Sequence, residues 1–239
     1  CWVALHLVCN GNGCPTDGQP IIGGKVSTAA NQTVNNVAVT IDANITEYPK
    51  TVTTPSNGTF NMNVIAGLDY EVSASKGGDY INGVSTLDLV LIQRHILDIQ
   101  KLDSPYKLIA ADVNSDKVIN TLDLLMLRKL VLGTLDELPG DVSWKFIDGS
   151  YIFSPFTPAL TQNYPTKIVI NKLKENKDNI SFIGTKMGDL NSSVSASATG
   201  DNNDILLRGN GNIKLFALTS ETTESKVRVD FTPDMAVNT

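Results

Sequence analysis

The stretch ADVNSDKVINTLDLLMLRKLVLG, residues 111–133, sets oxygen-bearing side chains at alternate positions just ahead of an apolar run. Counted from Asp112, the residues Asp112, Asn114, Asp116, Asn120 and Asp123 fall at positions 1, 3, 5, 9 and 12 of a twelve-residue loop. Such spacing wraps a ring of hard oxygen donors around one Ca2+ ion, with Val118 at position 7 offering its backbone carbonyl. Ile119, at position 8, is the apolar residue that pins the loop to a neighbour. In the apolar run behind the loop, Leu124, Leu127 and Val131 share one face at helical spacing, and Gly133 supplies the stop. Two positions depart from the pattern. Lys117 stands at position 6, where a sharp turn favours Gly. Asp123 stands at position 12 in place of Glu, and its shorter side chain reaches an ion less easily. The competing reading is an Asx-rich turn that caps a helix and holds no metal.

The pattern recurs upstream. STLDLVLIQRHIL (85–97) aligns without gaps on NTLDLLMLRKLVL (120–132), so that Thr86, Leu87, Asp88, Leu89 and Leu97 match Thr121, Leu122, Asp123, Leu124 and Leu132. Leu89, Ile92 and Ile96 join the core candidates, and His95 reads as a helix-surface residue. Between the two units, SPYKLIAA (104–111) reads as a linking helix with Ser104 as N-cap and Pro105 at its first position. The first loop, counted from Asp79 to Asp88, is two residues short. It offers Asp79, Asn82, Ser85 and Asp88, with a carbonyl near Val84. That is a thin set for Ca2+, and a metal-free loop is the alternative. A third stretch, GDLN (188–191) in FIGTKMGDLNSS (182–193), carries Asp189 and Asn191 with no helical run behind it. It is either a lone Asx turn or a segment that folds back to complete the short first site.

A duplicated loop–helix unit closed by Asp resembles the type I dockerin, over about residues 77–133, and GDLN is how a dockerin loop begins. The resemblance implies two Ca2+ loops, each followed by a helix, with a third helix between them. It also implies a recognition face for a cohesin-like partner, formed by Thr86, Leu87 and Arg94 on one unit and Thr121, Leu122, Arg128 and Lys129 on the other. The alternative is that Leu87 and Leu122 pack against the chain's own neighbours. The mid-chain position also differs from the terminal placement usual for enzyme-borne dockerins.

The rest of the chain reads as strands. IIGGKVST, VNNVAVTIDA, PKTVTT, GTFNMNVI and YEVSASK are alternating or β-branched runs separated by turn signals. With Gly58-Thr59-Phe60, Gly67, Tyr70 and Val72, they resemble the carboxypeptidase-regulatory-like, transthyretin-type β-sandwich of bacterial surface proteins, a spacer without catalytic residues. SWKFIDGSYIF (143–153), TKIVINKL (166–173) and NISFIGTKMG (179–188) read as further strands around a Pro-rich loop. They resemble the region C-terminal to dockerin-like repeats in large secreted proteins of Bacteroidetes-type bacteria. The composition of residues 194–204 suggests a linker, and 204–235 resembles the opening strands of a further, cohesin-like β-domain. The expected organisation is therefore the end of a preceding segment (1–19), a β-sandwich (20–76), a dockerin-like module (77–133), a β-rich extension (134–193) and a linker leading into another β-domain (194–239). The fold class is mainly β and multidomain, with a small α module.

Composition narrows the function. Of 239 residues 41% are hydrophobic but only 6% aromatic, which suits sheet and polar turns. A net charge of −6 argues against nucleic acid, which needs clustered Lys and Arg. No run is long and apolar enough to span a membrane. Catalytic motifs are lacking: there is no G-x-S-x-G, no H-E-x-x-H and no phosphate loop. Cys1, Cys9 and Cys14 cluster at one end, where one disulfide or three free thiols are both open readings. The expectation is a non-catalytic, Ca2+-stabilised structural segment of a secreted or cell-surface protein, an adhesin or fibre. Its partners would be β-modules of the same or neighbouring chains. The alternative is a docking module that binds a cohesin-like partner.

Overall fold

The computed structural model describes residues 19–196 and the backbone of two short strands, 221–223 and 226–228. The cysteines, the region from 197 to 204 and most of 204–235 lie outside the described residues. The two short strands, Glu221–Thr223 and Lys226–Arg228, pair antiparallel as a hairpin in a unit of their own.

Eight strands form two four-stranded sheets, at the positions where alternation predicts strands. In chain order they are β1 (Ile21–Thr28), β2 (Ala38–Asp42), β3 (Lys50–Thr53), β4 (Thr59–Asn63), β5 (Tyr70–Ser75), β6 (Trp144–Asp148), β7 (Lys167–Ile170) and β8 (Lys177–Lys186). One sheet has the order β4-β1-β8-β6 and the other β3-β2-β5-β7. The two sheets thus combine five strands from the region read as a sandwich, 20–76, with three from the region read as an extension. The reason is hydrophobic completion. Phe146, Ile180 and Phe182 from the late strands close over Ile22, Val26, Val39, Ile41 and Val72 from the early ones, in one buried cluster.

β8 is central to this arrangement. It runs parallel to β1, with Val26 opposite Phe182, and antiparallel to β6, with Phe146 opposite Gly184. The approach to β1 is close enough that a Cβ on Gly24 would run into the carbonyl of Ile180. Glycine there is a packing requirement.

Three helices lie between β5 and β6: α1 (Thr86–Ile96), α2 (Pro105–Ala111, N-cap Ser104) and α3 (Thr121–Val131). Gly133 takes φ +67 just past Leu132, the C-cap of α3, as a helix stop requires. Their apolar faces form two small cores. One joins Val84, Val113, Leu127 and Leu130 with Met187; the other joins Ile92, Ala110 and Ala111 with Leu190. Met187 and Leu190 come immediately after β8, so the exit from the sandwich is part of the helical module. The chain then continues into the large core, where Val194 and Ala196 are buried. The small-polar composition of 194–196 suggests a linker. Instead these residues are fixed, and the Asn35 N–H donates to the Ala196 carbonyl at 3.4 Å.

Candidate metal centre

The contiguous loop starts where α2 ends. Asp112 is the residue after the last turn of α2, and its carboxylate faces inward, 2% exposed. Its Oδ2 accepts from the Lys117 N–H at 3.1 Å, while its Oδ1 is buried with no hydrogen-bond partner. Burial pushes the Asp112 carboxyl above the usual range, against the pull of the Lys117 N–H and the Lys145 ammonium. Asn114 Oδ1 accepts from the Asp116 N–H at 3.1 Å, and Asp116 Oδ1 accepts from the Val118 N–H at 2.8 Å. The turn that Lys117 must make at position 6 is left-handed, with φ +70, and Ser115 has φ +61.

Asp123 closes the ring. It is fully buried; its Oδ1 accepts from the N–H groups of Val113 (3.0 Å) and Asn114 (3.4 Å), and its Oδ2 from that of Asn120 (2.9 Å). Asn120 caps α3, accepting from the Leu122 N–H at 2.7 Å. Burial also raises the Asp123 carboxyl above its ordinary value. The six predicted donors, Val118 included, therefore lie in one short loop folded around its first and last carboxylates. Among the described residues no three His, Cys, Asp or Glu side chains converge as a metal-holding group. The donor set here is of another kind, with Asn side chains and a carbonyl alternating with carboxylates, which is the mixture Ca2+ takes.

The first unit is arranged differently. Asp88, fully buried, accepts from both the N–H and the hydroxyl of Ser85 through Oδ2, at 2.8 Å each. Its Oδ1 accepts from the N–H of Leu190, also at 2.8 Å. The GDLN segment therefore lies against the first loop. Asp189 accepts from the Ser193 and Val194 N–H groups, and Asn191 Oδ1 accepts from Ser193. The Ser193 hydroxyl donates to the Gly83 carbonyl at 3.0 Å. Asp79 and Asn82 are engaged elsewhere. The Asn82 amide donates to Asp79 and to the Ser195 carbonyl and accepts from the Ser195 N–H. The structure thus brings Ser85, Asp88, Asp189 and Asn191 to one place, while Asp79 and Asn82 fasten the chain beyond Ser193. The roles of Gly83, Ser193 and Ser195 carried no signal in the linear sequence, since their partners lie more than a hundred residues away.

The predicted recognition residues Thr86, Leu87, Arg94, Thr121, Leu122, Arg128 and Lys129 are all exposed. Leu87 and Leu122 are 51% and 43% exposed, so they do not serve the chain's own core; Ile92 and Leu127 do. His95 is half-buried, and its Nδ1 accepts from the Leu102 N–H at 3.1 Å.

This pair of loop–helix units can be compared with known families. Residues 82–132 match the family model of the dockerin type I domain. No curated protein and no solved structure matches the chain. The dockerin-like segment is thus a helical insert in a mainly β chain, and no described helix is long and apolar enough to cross a membrane.

Proposed function

We propose that this chain is a calcium-stabilised, non-catalytic structural segment of a secreted or cell-surface bacterial protein, an adhesin or extracellular fibre. Asp112, Asn114, Asp116, the Val118 carbonyl, Asn120 and Asp123 would hold the ion. One observation carries this reading: Asp112 Oδ1 is buried without a partner at position 1 of the loop. A buried carboxylate oxygen left unbonded is costly, and a divalent cation is the partner that this donor set fits. Bound there, Ca2+ would offset the repulsion among Asp112, Asp116 and Asp123. Because those donors bridge the end of α2 and the start of α3, it would also fix the angle between the helices. The test is thermal unfolding of the chain in Ca2+, in Mg2+ and in chelator. A midpoint raised by Ca2+ alone supports the reading; identical midpoints refute it.

A second reading is favoured by the exposed apolar residues. Leu87, Val90 and Leu97 on the first unit are mirrored by Leu122, Leu125 and Leu132 on the second, each at least 43% exposed. Flanked by Arg94, Arg128 and Lys129, they suit docking onto a cohesin-like partner. Saturable, Ca2+-dependent capture by purified cohesins, lost in the double variant Leu87→Ala, Leu122→Ala, would favour it over the purely structural role.

A further inference from the structure

The first loop is too short when read along the chain, yet its missing half is present elsewhere. Residues 188–193, GDLNSS, repeat residues 111–116, ADVNSD, with Asp189, Asn191 and Ser192 identical to Asp112, Asn114 and Ser115. The backbone and its hydrogen bonds repeat as well. Ser192 has φ +60, and Ser115 +61. Leu190 N–H donates to Asp88 Oδ1 as Val113 N–H donates to Asp123 Oδ1. Ser85 N–H donates to Asp88 Oδ2 as Asn120 N–H donates to Asp123 Oδ2. Ser193 N–H donates to Asn191 Oδ1 as Asp116 N–H donates to Asn114 Oδ1. Val194 N–H donates to Asp189 Oδ2 as Lys117 N–H donates to Asp112 Oδ2. The packing repeats too, with Leu190 in one core with Ile92 and Val113 in one core with Leu127.

Independently of this geometry, the family match begins at residue 82. Under the alignment of the two units, Asn82 corresponds to Lys117, position 6 of the loop. The match therefore begins at position 6 of the first loop, and residues 77–81, which would stand at positions 1 to 5 along the chain, lie outside it.

We infer that Gly188–Ser193 is the displaced first half of that loop. Together with Gly83–Asp88 it forms a second site for a hard divalent cation. The donors are Asp189, Asn191, Ser193, the Gly83 carbonyl, Ser85 and Asp88, which occupy positions 1, 3, 5, 7, 9 and 12. Asp79 and Asn82 are not among them. The inference rests on the calcium reading of Asp112–Asp123. It adds that the helical module is not self-contained, because its first site is completed by chain that has already passed through the sandwich. The split site carries two carboxylates where the contiguous loop carries three, since Ser193 replaces Asp116. It is therefore the weaker of the two.

Calorimetric titration of the calcium-free full chain with CaCl2 tests this. The wild type should take up two ions, one tight and one weak. Asp112→Asn should remove the tight event and leave the weak one. In that background Asp189→Asn should remove the remainder, and Asn191→Ala, at a half-exposed position that disturbs the fold less, should weaken it tenfold or more. Amide exchange at Leu190 and Val194 should slow on Ca2+ addition in the Asp112→Asn chain, where the split site alone can respond. One ion in the wild type, lost in Asp112→Asn and indifferent to both Asp189→Asn and Asn191→Ala, would overturn the split site and leave the contiguous loop intact. No uptake at all would overturn both.

Discussion

The two loops of the helical module share four backbone-to-side-chain hydrogen bonds and differ in connectivity. In the contiguous loop, Asp123 reaches an N–H ten residues away; in the split one, Asp88 reaches an N–H 102 residues away. Closing the longer segment costs about 2 kcal/mol more in chain entropy on the logarithmic scaling of loop closure. The sandwich offsets that cost. Once β8 is in register between β1 and β6, Leu190 lies four residues past its end, and the segment has little freedom left to lose. Equivalent carboxylate-to-amide bonds thus close over a contiguous and a discontiguous stretch of chain.

The sharpest way to break this comparison is to remove the closing carboxylate of each loop. Asp88→Ala and Asp123→Ala should each destabilise the chain by about 3 kcal/mol in chelator, because each strands buried N–H donors. Their consequences should differ in place. Asp88→Ala should release residues 188–196 to amide exchange and protease, whereas Asp123→Ala should loosen 112–120 and leave 188–196 protected. Equal exchange maps for the two variants would show that the loops are not separable units.

Calcium removal comes next. An ion at a hundredfold excess over its dissociation constant adds about 2.7 kcal/mol, which is roughly 5–10 °C in the midpoint for a unit of this size. The contiguous loop should supply most of that gain. Asp112→Asn should therefore abolish the larger part of the calcium-dependent rise in a scanning measurement, and Asp189→Asn the smaller part.

Glycine sharpens the contrast further. Gly83 has φ +76, and a Cβ on it would come within 2.6 Å of the Val194 backbone. Its counterpart in the contiguous loop is Val118, 56% exposed. Gly83→Ala should cost about 2 kcal/mol through backbone strain and displacement of the crossing chain. Val118→Ala should stay within about 0.5 kcal/mol. Denaturant midpoints at unchanged slope would measure both.

The sequence made the local features legible and hid the distant ones. Strand positions came from alternation, the three helices from their caps and apolar spacing, and the oxygen ladder of Asp112–Asp123 from its offsets. Each of these is written within about a dozen consecutive residues. The parallel pairing of β8 with β1 is not, because which strands neighbour one another depends on how Phe146, Ile180 and Phe182 complete a core begun a hundred residues earlier. GDLN is visible as a loop-opening motif, readable either as a lone Asx turn or as a segment that completes the short first unit. The ligand set proposed near that unit is harder to read. Asp79 and Asn82 carry the right side chains but bond to each other and to Ser195, whereas Gly83 and Ser193 look unremarkable until the chain crosses itself. Residues 194–196 read as a linker because composition reports solubility, and the burial of Val194 and Ala196 is a property of the neighbouring sheet.

The smallest expected effect concerns the lysine that accompanies each loop. Lys145 donates to Ser115 Oγ beside Asp112, and burial lowers its ammonium while Asp112 raises it. Lys186, 3% exposed, donates to the Tyr80 carbonyl. Burial pushes its ammonium down to about 8, with Asp79 and Asp189 holding it up and Lys76 pressing it lower. The folded chain then releases this proton near pH 8, while the unfolded chain keeps it to the ordinary value of 10.5. Between those limits the unfolded state binds more protons, so stability in chelator should rise with pH. The rise is up to about 1 kcal/mol from pH 8 to 9, given a ceiling near 1.4 kcal/mol per unit. Below pH 8 both states hold the proton and this contribution is flat. Lys186→Met should erase the rise, and denaturant titrations at pH 7, 8, 9 and 10 would measure it. Adding Ca2+ makes the result diagnostic of the split site. A cation on Asp189 withdraws the charge that holds the Lys186 ammonium up, so the onset of the rise should move below pH 8 in the wild type and stay there in Asp112→Asn. An onset unmoved by Ca2+ in both chains would mean that no ion reaches Asp189, and that the second loop is held closed by its hydrogen bonds alone.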